Sequence, residues 1–142
     1  MHPKILFITL AVDDLDRSVV FYRDGLGWPT EGVVAKELHD DATGADGTIA
    51  FFTLASGLMI GLYERTNLAK DASTPVGPQS STEFSLGIPA ESPAEVDALL
   101  TQAEAAGGTL PAPAHRRPWG IYSGYFADPD GHLWEIVWNP DA

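Results

Sequence analysis

The sequence contains no cysteine. A disulfide framework, a thiolate metal site and a cysteine nucleophile are therefore excluded. Positive charge is scarce: 8 Lys and Arg stand against 20 Asp and Glu, for a formal net charge of −12. Such a chain repels phosphate backbones and anionic bilayers, so no nucleic-acid or membrane partner is expected. No apolar run approaches the roughly 18 residues of a membrane span. Met1-His2-Pro3-Lys4 leads directly into a strand-like run, without the basic-then-apolar pattern of a secretory leader. The expected location is cytoplasmic. Dinucleotide, P-loop and nucleophile-elbow glycine motifs are missing, and so are His-x-His and His-Glu-x-x-His pairs. Nucleotide-binding, serine-hydrolase and zinc-protease readings drop out with them.

What remains is a chain of 142 residues, 44% hydrophobic, with 14 Gly and 11 Pro. That is one domain's worth of length, rich in turns. Ile5 to Val12 reads as a strand. Asp13 and Asp14 can cap a helix beginning near Leu15, with Leu15, Val19 and Tyr22 on one face, and Gly25 and Gly27 end it. A weak strand is expected around Val33–Leu38. Thr48–Leu54 and Leu58–Glu64 form a hairpin about Ala55-Ser56-Gly57. Residues 67–81 lack periodicity and read as a linker between module one, 1–66, and module two, 82–142. Glu83–Ile88 reads as a strand. Ser92-Pro93-Ala94-Glu95 combines a Ser N-cap, an early Pro and a capping-box Glu, followed by an apolar stripe of Val96, Leu99, Leu100 and Ala103. Pro111–Arg117 reads as a basic loop. Gly124–Ala127 and His132–Asn139 read as strands about the turn Asp128-Pro129-Asp130-Gly131, with His132 a surface residue.

The order strand, helix, strands occurs twice, an internal repeat. Phe7–Val12 aligns with Glu83–Ile88, and the turn at Gly57 aligns with that at Gly131. Gly61 thereby falls opposite Glu135. Two βαβββ units of this size must share a core or curl around a common cleft.

Val12-Asp13-Asp14-Leu15-Asp16-Arg17-Ser18-Val19-Val20-Phe21-Tyr22 resembles the V-x-D-L-x-R-S-x-x-F-Y opening of the vicinal oxygen chelate superfamily. Phe126-Ala127-Asp128-Pro129-Asp130-Gly131-His132-Leu133-Trp134-Glu135 resembles its closing F-x-D-P-D-G-x-x-x-E. The superfamily includes glyoxalases, extradiol dioxygenases and bleomycin-resistance proteins. The resemblance implies an α+β fold of two βαβββ modules, with curved mixed sheets around a cleft, and a homodimer. It further implies four metal-ligand positions, which fall here on Phe7, Gly61, Glu83 and Glu135. Phe7 has no lone pair and Gly61 no side chain. Two carboxylates could hold a hard divalent cation loosely with water, but they do not complete a transition-metal sphere. No cofactor and no metal site are therefore expected.

Glu83 and Glu135 are the candidate acid–base pair; salt-bridged cleft carboxylates are the plainer alternative. Phe7, Gly61, Trp119 and Tyr122 are candidate ligand contacts, Gly61 leaving a gap for a ligand ring. Arg116, beside His115 and Arg117, could clamp an anion; neutralisation of neighbouring acids is the favoured reading. The function expected is metal-independent binding of a small molecule, cationic or aromatic. The alternative is a lyase, isomerase or dioxygenase with a degenerate metal site or with Glu83 and Glu135 as acid and base.

Overall fold

The computed structural model describes all residues, 1–142. The chain divides into two units, Met1–Pro78 and Gln79–Ala142. In the first, strand β1 (Phe7–Val12) leads to helix α1 (Leu15–Val19), which runs on into a π-helical turn, Val20–Gly25. The Asp14 carboxylate accepts the Arg17 N–H at 3.1 Å, so the expected aspartate cap is in place. Strands β2 (Thr30–Val34), β3 (Ile49–Thr53) and β4 (Met59–Glu64) follow, then helix α2 (Arg65–Asp71). The sheet order is β1-β4-β3-β2; β1 and β4 run parallel and the other pairs antiparallel.

The second unit repeats the plan with β5 (Ser85–Pro89), α3 (Pro93–Ala105), β6 (Thr109–Arg116), β7 (Tyr122–Ala127) and β8 (Leu133–Trp138). Its order is β5-β8-β7-β6, with β5 and β8 parallel. The Ser92 hydroxyl accepts the Glu95 N–H at 3.1 Å, and the Glu95 carboxylate accepts the Glu91 N–H at 2.6 Å. The capping box read in the sequence therefore closes, its glutamate reaching one residue ahead of the cap.

Alternation along the strands sorts each sheet into two faces. In the first unit Leu10, Val12, Ala50, Phe52, Ile60 and Leu62 are buried on the α1 side, where the Tyr22 ring lies 5.8 Å from that of Phe52. In the second, Phe126 and Trp134 stack at 6.2 Å and are buried with Ile136, Val96 and Leu100. Gly124 belongs to this layer because a Cβ there would stand 2.7 Å from the Leu100 side chain and 2.8 Å from the Ala114 backbone.

Four local readings change. Residues 67–81 do not begin as a linker, since helix α2 extends to Asp71. The weak strand lies earlier than expected, at Thr30–Val34. Pro111–Arg117 is largely strand rather than loop. Its prolines fit because β6 is an edge strand whose pairing with β7 is interrupted by register shifts between Thr109 and His115. His132 is not a surface residue: its side chain is 12% exposed and its Nδ1 lies 2.7 Å from the buried Asp128 carboxylate. Asp128 Oδ1 also accepts the N–H groups of Asp130 and His132, at 3.0 and 2.9 Å.

Candidate functional site

The faces turned away from α1 and α3 carry the candidate chemistry. On the first sheet, cross-strand rows on this far face read Phe7, Met59, Thr53; then Thr9, Gly61, Phe51; then Ala11, Tyr63, Ile49. On the second they read Ser85, Leu133, Ala127; then Gly87, Glu135, Tyr125; then Pro89, Val137, Ser123, with His115 beside Ser123. Gly61 and Glu135 thus hold the same position in their sheets. The counterpart of Phe7 is Ser85, not Glu83. Glu83 is exposed, in a bend two residues ahead of that position and outside the strand expected to carry it.

The four positions that would supply metal ligands are therefore Phe7, Gly61, Ser85 and Glu135, with one carboxylate among them. No group of three or more His, Asp or Glu side chains is arranged to hold a metal ion. This donor set does not fit a four-ligand divalent centre.

The gap expected at Gly61 is filled from within the chain. A Cβ on Gly61 would stand 3.0 Å from Cε1 of Phe51, so the glycine lets that ring lie over β4. Phe7 meets Phe51 edge to face, with ring centres 5.9 Å apart and planes at 71°. Beside this pair lies a cavity of about 480 Å³ lined by the apolar Pro29, Val34, Phe51 and Met59 together with Thr30, Glu31 and Thr53.

The second far face is polar. Tyr125 and Glu135 are cross-strand partners, and the Glu135 carboxylate and the Ser85 hydroxyl both act on the Tyr125 phenol. Burial and the Glu135 charge push its pKa up, against smaller opposing effects of Arg117 and Ser85, so the phenol stays protonated. Arg117, which follows β6, turns onto the same face. Its Nε donates to the Ser123 hydroxyl at 3.1 Å and its Nη2 to the Ser123 carbonyl at 3.2 Å. The guanidinium carbon sits 5.9 Å from the centre of the Tyr125 ring. This face therefore carries a cation as well as the Glu135 carboxylate, without an ion pair between them.

The other sequence candidates are not brought to it. Arg116, Tyr122 and Trp138 lie on the α3 side, one register row together. The Arg116 guanidinium covers Trp138 at 5.7 Å, and the Tyr122 hydroxyl donates to Asp97 of α3 at 2.7 Å. That bond, and secondarily burial, raises the Tyr122 pKa. Trp119 is 71% exposed, in the turn between β6 and β7. Tyr125 and Arg117, which form the constellation with Glu135, stood in the sequence only as one aromatic among several and one cation of a basic run. A second cluster lies at one end of the first unit. There the Tyr63 hydroxyl donates to the Asp46 carbonyl, and His39 Nδ1 lies 2.7 Å from Asp46 Oδ1. Burial first, then Asp71, Asp46, Asp40 and Glu64, hold the Tyr63 pKa up.

No helix is long and apolar enough to cross a membrane. A family model described as the glyoxalase/bleomycin resistance protein/dioxygenase superfamily matches residues 4–136. No curated protein matches the chain in sequence. Among solved structures, a glyoxalase-related enzyme from Fulvimarina pelagi is 31% identical, with 98% of this chain and 90% of that one covered and a TM-score of 0.80. A lactoylglutathione lyase from Agrobacterium tumefaciens is 27% identical, with 97% and 95% covered and a TM-score of 0.65. The fosfomycin resistance protein FosX from Listeria monocytogenes, 24% identical over 98% and 95% of the two chains with a TM-score of 0.68, shares the fold. By this match over nearly its whole length, and by the two sheets that repeat one topology, the chain belongs to the glyoxalase/bleomycin resistance protein/dioxygenase superfamily.

Proposed function

We propose that this protein binds a small, largely apolar or aromatic molecule without a metal, against the far face of the first sheet. The observation that carries the reading is the Phe51 ring packed over Gly61 and capped by Phe7. It lies against two of the positions that the resemblance assigns to metal ligands, beside a mainly apolar cavity that Glu31 also lines. Apolar walls with few polar groups suit a planar hydrophobic ligand. A cationic ligand has less support than the acidic composition suggested, because Arg117 shares a face with Glu135. The test is a thermal-shift screen of aromatic metabolites and drugs, run with and without chelator, beside elemental analysis of the purified protein. A stabilising ligand whose shift survives chelator is expected. Stoichiometric tightly held metal, or a shift abolished by chelator, would overturn the reading.

The alternative is a lyase, isomerase or dioxygenase. The similarity to a glyoxalase-related enzyme supports it, and so does the Tyr125 phenol set against Glu135, where one group can hold a proton for the other. In that case Glu135 acts without Glu83, which lies off the strand. We also propose a homodimer. The exposed apolar run Ile5, Leu6, Phe7 supports a covered surface there, and light scattering that returned a monomer at micromolar concentration would remove the proposal.

A further inference from the structure

In a chain of net charge −12, the Arg117 guanidinium has no carboxylate of its own unit within ion-pairing distance. Two other arginines do: Arg23 bonds Asp24 at 3.0 Å and Arg65 bonds Asp13 at 2.8 Å. Arg117 is half-buried and fixed from both ends. Its backbone N–H donates to the Ile121 carbonyl at 2.8 Å and its carbonyl accepts from Gly120 at 3.0 Å. Its side chain is held by the two oxygens of Ser123, over Tyr125. Those bonds engage Nε and one N–H of Nη2, both on neutral acceptors. A guanidinium has five N–H donors in a rigid fork, so the Nη1 pair and the second Nη2 hydrogen remain, already oriented. An oriented, half-desolvated cation without a counter-charge is an arrangement that an oxyanion completes.

We infer that Arg117 is the anchor for an oxyanion, a carboxylate or a phosphoryl group, carried by a small ligand of the second unit. Ser123 sets the fork, and the Tyr125 ring backs it. The favoured reading of the basic run, neutralisation of neighbouring acids, does not describe this residue. Glu135 is the one carboxylate on the rows around Tyr125, and it opposes an incoming anion. That opposition gives the inference its sign: removing the Glu135 charge tightens an anion and weakens a cation. The inference uses the second unit alone. Its failure would leave the apolar cavity of the first unit untouched, and the reverse also holds.

The experiment is a titration of the full-length protein, with arginine Nε–Hε resonances followed by NMR at neutral pH and constant ionic strength. Inorganic phosphate is the first probe and acetate the second. The Arg117 resonance is assigned by its contact with the Tyr125 ring and by its absence from Arg117→Gln. It is expected to shift saturably, with a dissociation constant on the order of millimolar for so small a probe. Arg117→Gln should weaken binding at least about tenfold, the range of a charged hydrogen bond. Arg116→Gln should leave it unchanged, and Glu135→Gln should tighten it about two- to threefold. The tighter probe names the oxyanion. A titration with neither probe saturating overturns the inference. So do arginine resonances that shift in parallel, or a Glu135→Gln protein that binds more weakly. The wild-type titration stands even if Arg117→Gln is unstable, and Arg117→Lys then serves as the variant that keeps charge while losing the fork.

Discussion

Gly61 and Glu135 hold one position in two copies of a single topology, and their cross-strand neighbours, Phe51 and Tyr125, differ by one hydroxyl. In the first unit the ring lies down over a glycine and the surroundings are mainly apolar. In the second the same ring carries an oxygen, meets a carboxylate and lies under an arginine. The layers that face α1 and α3 have not diverged in this way; both are continuous apolar cores. A strand exposes alternate residues to two environments, so one face can change its chemistry while the other keeps the fold.

The largest effects are expected from damage to the two buried apolar layers. Phe52→Ala and Trp134→Ala should each destabilise the protein by about 3–5 kcal/mol, as read by urea unfolding, because both side chains are fully buried. A large difference between them would mean the two cores are not equivalent. Next, Gly61→Glu imports the second unit's residue into the first. Its side chain must displace the Phe51 ring, and its carboxylate has no counterpart of the Tyr125 hydroxyl, so a loss of about 1–3 kcal/mol is expected. The double variant with Phe51→Tyr should lose less, and additive losses would break the proposed correspondence.

Smaller still is Tyr125→Phe, which imports the first unit's ring into the second and should lose about 1 kcal/mol. Its pH dependence is the sharper readout. The folded-state pKa of Tyr125 lies above the ordinary 10.0, so the unfolded chain releases its proton first as pH rises. The stabilisation is complete below that ordinary value and is lost as pH climbs through the folded value. Tyr63 and Tyr122 act in the same direction. Stability should therefore fall as pH rises above the ordinary tyrosine value of 10.0, less steeply in Tyr125→Phe.

Local chemistry made most of the fold legible. The Ser92 cap, the Asp14 cap, both hairpins and the repeat itself are signals carried within a few residues of chain. The site was harder for two physical reasons. Alternation has a period of two, so aligning Leu10 with Leu86 fits the apolar pattern as well as the true match of Ile8 with Leu86, and the slip places Glu83 where Ser85 stands. Phe84 made the wrong match attractive, although the residue is 49% exposed. The second reason is that Tyr125 and Arg117 meet Glu135 across strands, where sequence spacing says nothing directly. Counting outward from the Asp-Pro-Asp-Gly turn pairs Tyr125 with Glu135, and that count was the signal available. Helix α2 had no such signal, since seven residues with a single Leu and Ala carry little amphipathic pattern.

The three bonds gathered by the Asp128 carboxylate have a reach beyond their own turn. They fix which residue of β8 follows the corner, and every later residue inherits its side of the sheet from that choice. A slip of one position would swing Glu135 into the packed layer beneath α3 and turn Trp134 outward. The turn thus works as the zero mark of a ruler along β8. A lesion at Asp128 or His132 can misaddress Glu135 without touching it, so any effect on that face would trace to lost registry between strands rather than to a missing contact.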